Sequence, residues 1–370
     1  MYIENIDITN FRNIEKINTS FNKKYNIFYG ENAQGKTNFL EALSLTLNGI
    51  SHREKSTLNF IKQDSDFCIV SANVKKEDDI DTNVKLTIKE KRKYEINSTP
   101  VKTRTELLKE YNIVLFTPED LKIIKGYPKD RRKFLDESIS LIFPAYHSAL
   151  RKYNKALKQR NTILKDYTKR NIASSLLDVY DETLYTIGSD IIKTRINILK
   201  KIEKIADNLN KEVCKNENIK FFYSSNVLKN SDLTDIKLMY KNALKNARKE
   251  DLSRGTTTVG IHHDDINIFI NDLDTKKFAS QGQQRSIALC MKLSLIKLLY
   301  DKFEDYPIVL LDDVMSDLDK FRQKQILNLI KDTQSFITCV NHSFLEDIND
   351  YKIYKIENGN LKEVTSGQTR

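Results

Sequence analysis

The sequence predicts an α/β domain split in two by a long helical insertion. Three observations predict it. A strand-like run, YNIFY at 25–29, passes straight into a glycine loop and then a helical pattern. Far downstream, IVLLDD at 308–313 and FITCV at 336–340 are short, nearly all-apolar runs that suit strands buried on both faces. Between these regions, apolar residues recur at spacings of three, four and seven, as in long paired helices.

Residues 2–9 partly alternate and predict a first strand, and 25–29 a second. Leu40, Leu43 and Leu47 keep helical spacing after the glycine loop. Residues 67–74 and 84–96 predict further strands, with the acidic turn EDDID between them. IVLF at 113–116 is another strand, after which TPED opens a helical region. In that region Leu150, Tyr153, Leu157, Leu164 and Tyr167 mark one helix face. Tyr180, Leu184, Ile187, Ile191, Ile198, Ile202, Ile205 and Leu209 mark another. Two antiparallel helices are expected, with a break near KRNIASS at 169–175. The split domain is placed at 1–118 and 251–370, and the coiled-coil-like insertion at 119–250.

Composition narrows the function classes. A hydrophobic share of 39% supports a real core and excludes wholesale disorder. No window approaches the ~18 apolar residues of a membrane span. MYIENIDITNFRN has neither the basic nor the apolar region of a secretory signal. Cys68, Cys214, Cys290 and Cys339 lie far apart without a CxxC, which predicts reduced thiols and a cytoplasmic protein. The excess of 61 Lys+Arg over 51 Asp+Glu, 61 − 51 = +10, is compatible with a polyanionic partner without requiring one.

Three segments carry chemistry. Gly30-Glu31-Asn32-Ala33-Gln34-Gly35-Lys36-Thr37 fits GxxxxGK[ST] in full. Its glycines let backbone N–H groups curl around phosphate oxygens, Lys36 reaches the β/γ-phosphates, and the Thr37 hydroxyl suits Mg²⁺. ATP and Mg²⁺ are thus the expected ligands. Asp312 and Asp313 end a buried strand, at the sheet edge where ligands bind in such folds. Asp312 is expected in the Mg²⁺ shell, and Asp313 beside the attacking water; the plainer reading is a helix cap. Ser280-Gln281-Gly282-Gln283 precedes a helix and forms an anion cradle or, more plainly, a capping box.

The order of these segments, followed by Ser316-Asp317-Leu318-Asp319, resembles that of ABC-type ATPase heads. There the third segment is the signature and the last is the D-loop. The resemblance implies that Ser280, Gln281, Gly282 and Gln283 act in trans, on ATP held by a second copy. ATP then joins two heads, and hydrolysis releases them.

Other stretches are similar to the RecF family of bacterial recombination mediators. They are NFRN (10–13), GENAQGKTNFLEAL (30–43), SHR (51–53), FTPEDLKIIKGYPKDRRKFLD (116–136), YNKALKQRN (153–161), GIHHDD (260–265), FASQGQQR (278–285), VLLDDVMSDLD (309–319) and FIT (336–338). The resemblance implies an ATP-dependent homodimer on gapped or junction DNA. With RecR, and with RecO in some pathways, such proteins help load RecA, in fork repair and the SOS response. It also implies that Arg12 contacts nucleotide and that His342, in CVNHSF, is a switch residue; the latter also reads as a helix cap.

The chain departs from the family pattern at Ile261 and His263, where proline and arginine are usual. Losing that arginine puts any phosphate contact there in doubt. His262, His263, Asp264 and Asp265 also read as a metal cluster, although a structural turn is preferred. Most ABC ATPases carry Glu where Asp313 stands, so slow, timer-like hydrolysis is expected.

Arg151, Lys155, Lys158, Lys165 and Lys169 fall near one face of the first long helix, either a phosphate-tracking stripe or a solvated face. Base-specific readout is not expected, since no recognition-helix pattern occurs. A transporter ATPase subunit, an SMC-like head, an ATPase–nuclease fusion and a small-molecule kinase are the weaker readings.

Overall fold

The computed structural model describes the chain except His52, Lys55 and residues 77–80, 171–173, 214–216, 229–234, 341–349 and 368–370, and the side chains of 166–170, Ser174, Val213, Asp317 and 365–367. It forms two compact units, one of Met1–Asp120 with Leu295–Arg370, the other of Leu121–Ser294.

The first unit carries two six-stranded sheets. One runs in the order Asn360–Gly367, Tyr351–Glu357, Tyr25–Tyr29, Ser335–Cys339, Ile308–Asp312, Ile113–Phe116. Its pairings are parallel except for the hairpin Tyr351–Glu357 with Asn360–Gly367. Every residue of IVLLD and SFITC is buried, so these strands need no alternation. The helix Lys36–Asn48 buries Phe39, Leu40, Leu43 and Leu47 in the same core as both sheets.

The other sheet is antiparallel, in the order Ile14–Ser20, Tyr2–Phe11, Cys68–Lys75, Asp81–Ile88, Arg92–Ile96, Thr99–Val101. Two differences from expectation stand out here. Ile14–Ser20 is a strand that sequence patterning misses, because its burial is sparse rather than alternating. The run 84–96 is two antiparallel strands, Asp81–Ile88 and Arg92–Ile96, with Lys89–Lys91 turning between them. The terminal hairpin was also not anticipated; its turn is Asn358-Gly359, both with positive φ (50° and 77°), as a tight two-residue loop requires.

The second unit is built on the helices Pro144–Arg170 and Ser174–Val213. They run antiparallel: Tyr146 meets Arg195, and Arg160 meets Asp181, so an advance of 160 − 146 = 14 matches a retreat of 195 − 181 = 14. Fourteen is two heptads, which is the spacing the apolar pattern shows. The first helix ends at Arg170 and the second begins at Ser174, both within the expected break at 169–175; residues 171–173 lie outside the description. The buried seam differs from expectation in containing charge. Arg160 and Arg195 lie in it, fully or nearly fully buried, while Leu150 and Leu157 are only half-buried. Tyr167 lies outside the described side chains. A third helix, Ile236–Arg254, completes the bundle beside a three-stranded sheet of Leu273–Asp274, Asp265–Ile270 and Ile219–Ser224.

That sheet's outer strand is sealed by the long helix. Asp207 accepts a hydrogen bond from the Ile219 N–H at 2.8 Å, and Glu203 accepts one from the Phe221 N–H.

The buried arginines are held by carboxylates, although Nη2 of Arg160 is buried without a hydrogen-bond partner among the described residues. Arg160 donates to Asp181 (2.5 Å), Asp251 (2.7 Å) and the Thr257 hydroxyl (2.8 Å). Arg195 holds both oxygens of Asp136 at 2.9 Å and the Ile261 carbonyl at 2.9 Å. Arg131 grips both oxygens of Asp265 at 2.7 and 2.9 Å. The compact units divide at 120/121 and 294/295, where sequence reading placed divisions at 118/119 and 250/251. The second difference has a plain cause: the strand Asp265–Ile270 pairs with Ile219–Ser224 and so belongs with the helices.

Candidate nucleotide-binding site

The strand Tyr25–Tyr29 ends at the loop 30–35, and the helix Lys36–Asn48 starts from Gly35. Gly35 has φ 113°, and a Cβ there would meet the Asn13 side-chain nitrogen at 2.9 Å, so only glycine fits. Ala33 is also left-handed, with φ 65°. The loop is thus coiled so that successive N–H groups precede the positive end of a helix, as an anion site needs. Lys36 is buried, and its ammonium donates to the carbonyls of Gly30 (2.6 Å) and Glu31 (2.8 Å). A cation so held sits over the mouth of the loop.

The loop is clamped from outside. The Gln34 carbonyl accepts from the Asn13 side chain (3.2 Å) and the Gly359 N–H (2.9 Å). The Gln34 side chain accepts from the Asn358 N–H at 2.7 Å. Asn13 also accepts from the Asn38 side chain at 2.8 Å. The turn of the terminal hairpin therefore fixes the loop through one residue.

The parallel strands bring the second motif to the same place. Thr37 donates to Asp312 at 2.9 Å, although the two are 275 residues apart in sequence. Asp312 is buried and also accepts from the Thr338 hydroxyl at 2.9 Å. Asp313 has φ 53°; its N–H donates to Thr338 at 2.9 Å and its carboxylate accepts from Ser316 at 2.6 Å. A hydroxyl and a carboxylate meeting beside a phosphate loop are hard oxygen donors of the kind Mg²⁺ takes, so this donor set fits that ion. Asp319 caps the helix Lys320–Leu329 by accepting from the Arg322 N–H, and this bond holds its carboxyl below the usual range. Buried Cys339 lies nearby, and burial pushes its thiol up to about 12, leaving it unreactive.

Arg12 is placed differently from the nucleotide contact expected of it. It pairs with the fully buried Glu41 (2.5 and 3.0 Å) and lies over the Phe60 ring. His342 lies outside the described residues.

In the second unit, Ser280 and Gln283 form the reciprocal capping box: the Ser280 N–H donates to Gln283 (2.7 Å), and the Gln283 N–H to Ser280 (3.2 Å). Gln283 also donates to Glu217 at 2.8 Å. Ser280, Gln281 and Gly282 are exposed, so this helix start is both capped and open to a ligand.

The two histidines of GIHHDD share one backbone carbonyl while the two aspartates turn to other partners, so the four are not arranged as metal ligands. His262 meets the Tyr153 hydroxyl (3.2 Å) and the Thr257 carbonyl (3.1 Å); burial lowers it to about 4, so it is neutral near pH 7. His263 meets the same carbonyl at 3.2 Å. Asp264 accepts from Tyr223, and Asp265 from Arg131. Among the described residues, no group of three or more His, Cys, Asp or Glu is arranged to hold a metal.

Arg151, Lys155, Lys158 and Lys165 are all exposed on the helix Pro144–Arg170; the Lys169 side chain lies outside the description. Among the described residues, no helix is long and apolar enough to cross a membrane. Sequence reading missed Thr338, whose only signal was a threonine near the end of an apolar strand. It also missed the clamp of Asn13 and Asn358-Gly359, although Asn-Gly is a recognised hairpin signal.

Comparison with known proteins follows the same outline. Residues 2–362 match the model of the RecF/RecN/SMC N terminal domain. The DNA replication and repair protein RecF of Clostridioides difficile strain 630 is 37% identical over 99% of this chain and 100% of that protein. That of Clostridium botulinum strain Langeland is 39% identical, over 98% and 100%. A solved structure described as the recombination mediator protein RecF-ATP in the RecFOR pathway has a TM-score of 0.92 at 35% identity, covering 98% of each chain. An SMC head bound to the C-winged helix domain of ScpA shares the fold, with a TM-score of 0.59 at 17% identity.

Proposed function

This chain belongs to the RecF family, and on that premise we propose that it is an ATP-dependent DNA-binding protein of recombinational repair. The observation that carries the nucleotide half is the hydrogen bond from Thr37, next to Lys36 at the end of the phosphate loop, to Asp312 at the strand end that Asp313 follows. Lys36 and the loop N–H groups bind the phosphates. Thr37 and Asp312 hold Mg²⁺, which when bound neutralises the charge that grows on the phosphoryl oxygens. Asp313 orients the attacking water. With one methylene fewer than glutamate it does so poorly, so turnover is slow and hydrolysis acts as a timer.

Ser280, Gln281, Gly282 and Gln283 act on ATP held by a second copy, aided by Ser316 and Asp319. ATP thus makes a homodimer, and hydrolysis dissolves it. Arg12, paired with Glu41, is proposed as a further nucleotide contact. The dimer binds gapped or junction DNA without base readout and, with RecR and RecO, helps load RecA, in fork repair and the SOS response. Its cytoplasmic location belongs to the same proposal. Arg151, Lys155, Lys158, Lys165 and Lys169 are proposed as phosphate contacts; what supports them is charge and, for the first four, exposure.

The test is fluorescence anisotropy of a labelled gapped duplex titrated with ATP, ADP or no nucleotide. Tight binding is expected only with ATP, weakening steeply as salt rises. Equal affinity in all three states, or none that responds to salt, overturns the reading.

A further inference from the structure

Thr338 is fully buried near the end of the strand Ser335–Cys339. Its hydroxyl does two things at once. It donates to Asp312 at 2.9 Å and accepts from the Asp313 N–H at 2.9 Å. A hydroxyl carries one proton and two lone pairs, so it can serve a carboxylate and an amide together. The carboxylate oxygen it touches is the one that also accepts from Thr37 at 2.9 Å. Asp313 sits at φ 53°, a left-handed conformation that a non-glycine residue keeps only when its surroundings impose it. Thr338 supplies one of those restraints through the backbone, and Ser316 holds the carboxylate at 2.6 Å.

We propose that Thr338 is a positioning residue for both acidic groups of the site: it aims the shared oxygen of Asp312 and holds Asp313 in its left-handed turn. Lys36 is held instead by the loop carbonyls of Gly30 and Glu31. Losing the Thr338 hydroxyl should therefore disturb the Mg²⁺-dependent part of nucleotide binding and spare the phosphate grip. The inference rests on the reading of this site as one for ATP with Mg²⁺.

The experiment uses the full chain with Thr338→Val, which keeps the shape and removes the hydroxyl, and Thr338→Ser, which keeps the hydroxyl. A fluorescent ATP analogue is titrated in EDTA and across a Mg²⁺ series, with thermal melts alongside. Thr338→Val is expected to raise the Mg²⁺ concentration for half-maximal effect about ten- to a hundredfold, the range for a lost hydrogen bond to a charged group. Its affinity in EDTA should stay within about twofold of the original, and Thr338→Ser should respond to Mg²⁺ like the original. An unchanged Mg²⁺ response in Thr338→Val overturns the proposal, as does a serine variant as impaired as the valine one. If the valine protein gives no cooperative melt, Thr338→Cys, with its weak S–H donor, is read in the same way. An unmodified chain that binds no nucleotide fails the functional reading itself, and that outcome is distinct from both.

Discussion

Replacing Arg160 by methionine tests whether the charged seam of the helical unit is structural. Methionine fills the space of the stem and removes the guanidinium. Three hydrogen bonds vanish: those to Asp181 at 2.5 Å, Asp251 at 2.7 Å and Thr257 at 2.8 Å. Asp251 is wholly buried and, among the described residues, its carboxylate keeps only the Thr258 N–H (2.8 Å) and hydroxyl (2.7 Å). Asp181 keeps Arg248 at 2.5 Å, so it is partly compensated. Breaking a buried pair from one side costs about 3–5 kcal/mol. For a unit of this size each kcal/mol moves the melting point by about 2–4 °C, so a fall of roughly 6–20 °C is expected. The assay is calorimetry with helix content followed by circular dichroism. Asp251→Asn should cost about 2–4 kcal/mol alone but add little to Arg160→Met, since both break one bond. A melting point within about 2 °C of the original would refute the argument and mean that water reaches the seam.

Four further variants have expected outcomes. Ser280→Arg should leave nucleotide binding intact and abolish ATP-induced dimers in analytical ultracentrifugation; dimers that persist would remove the trans role of the signature. Gly359→Ala places a Cβ 2.2 Å from the Asn13 carbonyl at φ 77°, so it should weaken nucleotide binding through Gln34. Gly255→Ala, with a similar φ of 66° and, among the described residues, Lys165 alone beside it, should lower stability and leave affinity unchanged. His262 is lowered to about 4 from 6.5, so between those values the unfolded chain binds more protons and stability falls as pH falls. Asp264, raised by burial, works in the opposite sense at the low end. The loss of stability measured by urea unfolding from pH 6.5 to 5 should therefore shrink in His262→Gln; an identical slope would remove the histidine from the account.

What the sequence made legible was what is local or strongly patterned. Gly30 to Thr37 announces a strand, a loop and a helix within one stretch, and the structure has all three. IVLL shows by its own composition that it is buried. What was not legible depends on partners far along the chain. Arg160 stands in a stretch marked only by its family likeness, and nothing nearby reveals that Asp181, Asp251 and Thr257 will surround it. Nor does anything local reveal that Glu41 is fully buried against Arg12. Some residues of the family stretches outside the nucleotide motifs belong to this interior: Asp136, Tyr153, Arg160, Gly260 and Asp264 all stand in the helical unit's hydrogen-bonded or close-packed centre. Thr338 was hidden for the opposite reason, being taken as one more residue of an apolar strand.

The two carboxylates on the outer edge of the small sheet act as a ruler. Four residues of helix rise about 6 Å, and two residues of strand about 6.7 Å. Glu203 and Asp207, four apart, therefore match the N–H groups of Phe221 and Ile219, two apart. A slip of one residue would turn both N–H groups away, so the helix dictates the strand's alignment. That alignment passes to the neighbouring strand, where Ser224 opposes Asp265. The long helix thereby sets, by length alone, where Asp265 stands to receive Arg131, and it denies the same edge to any stray extended chain.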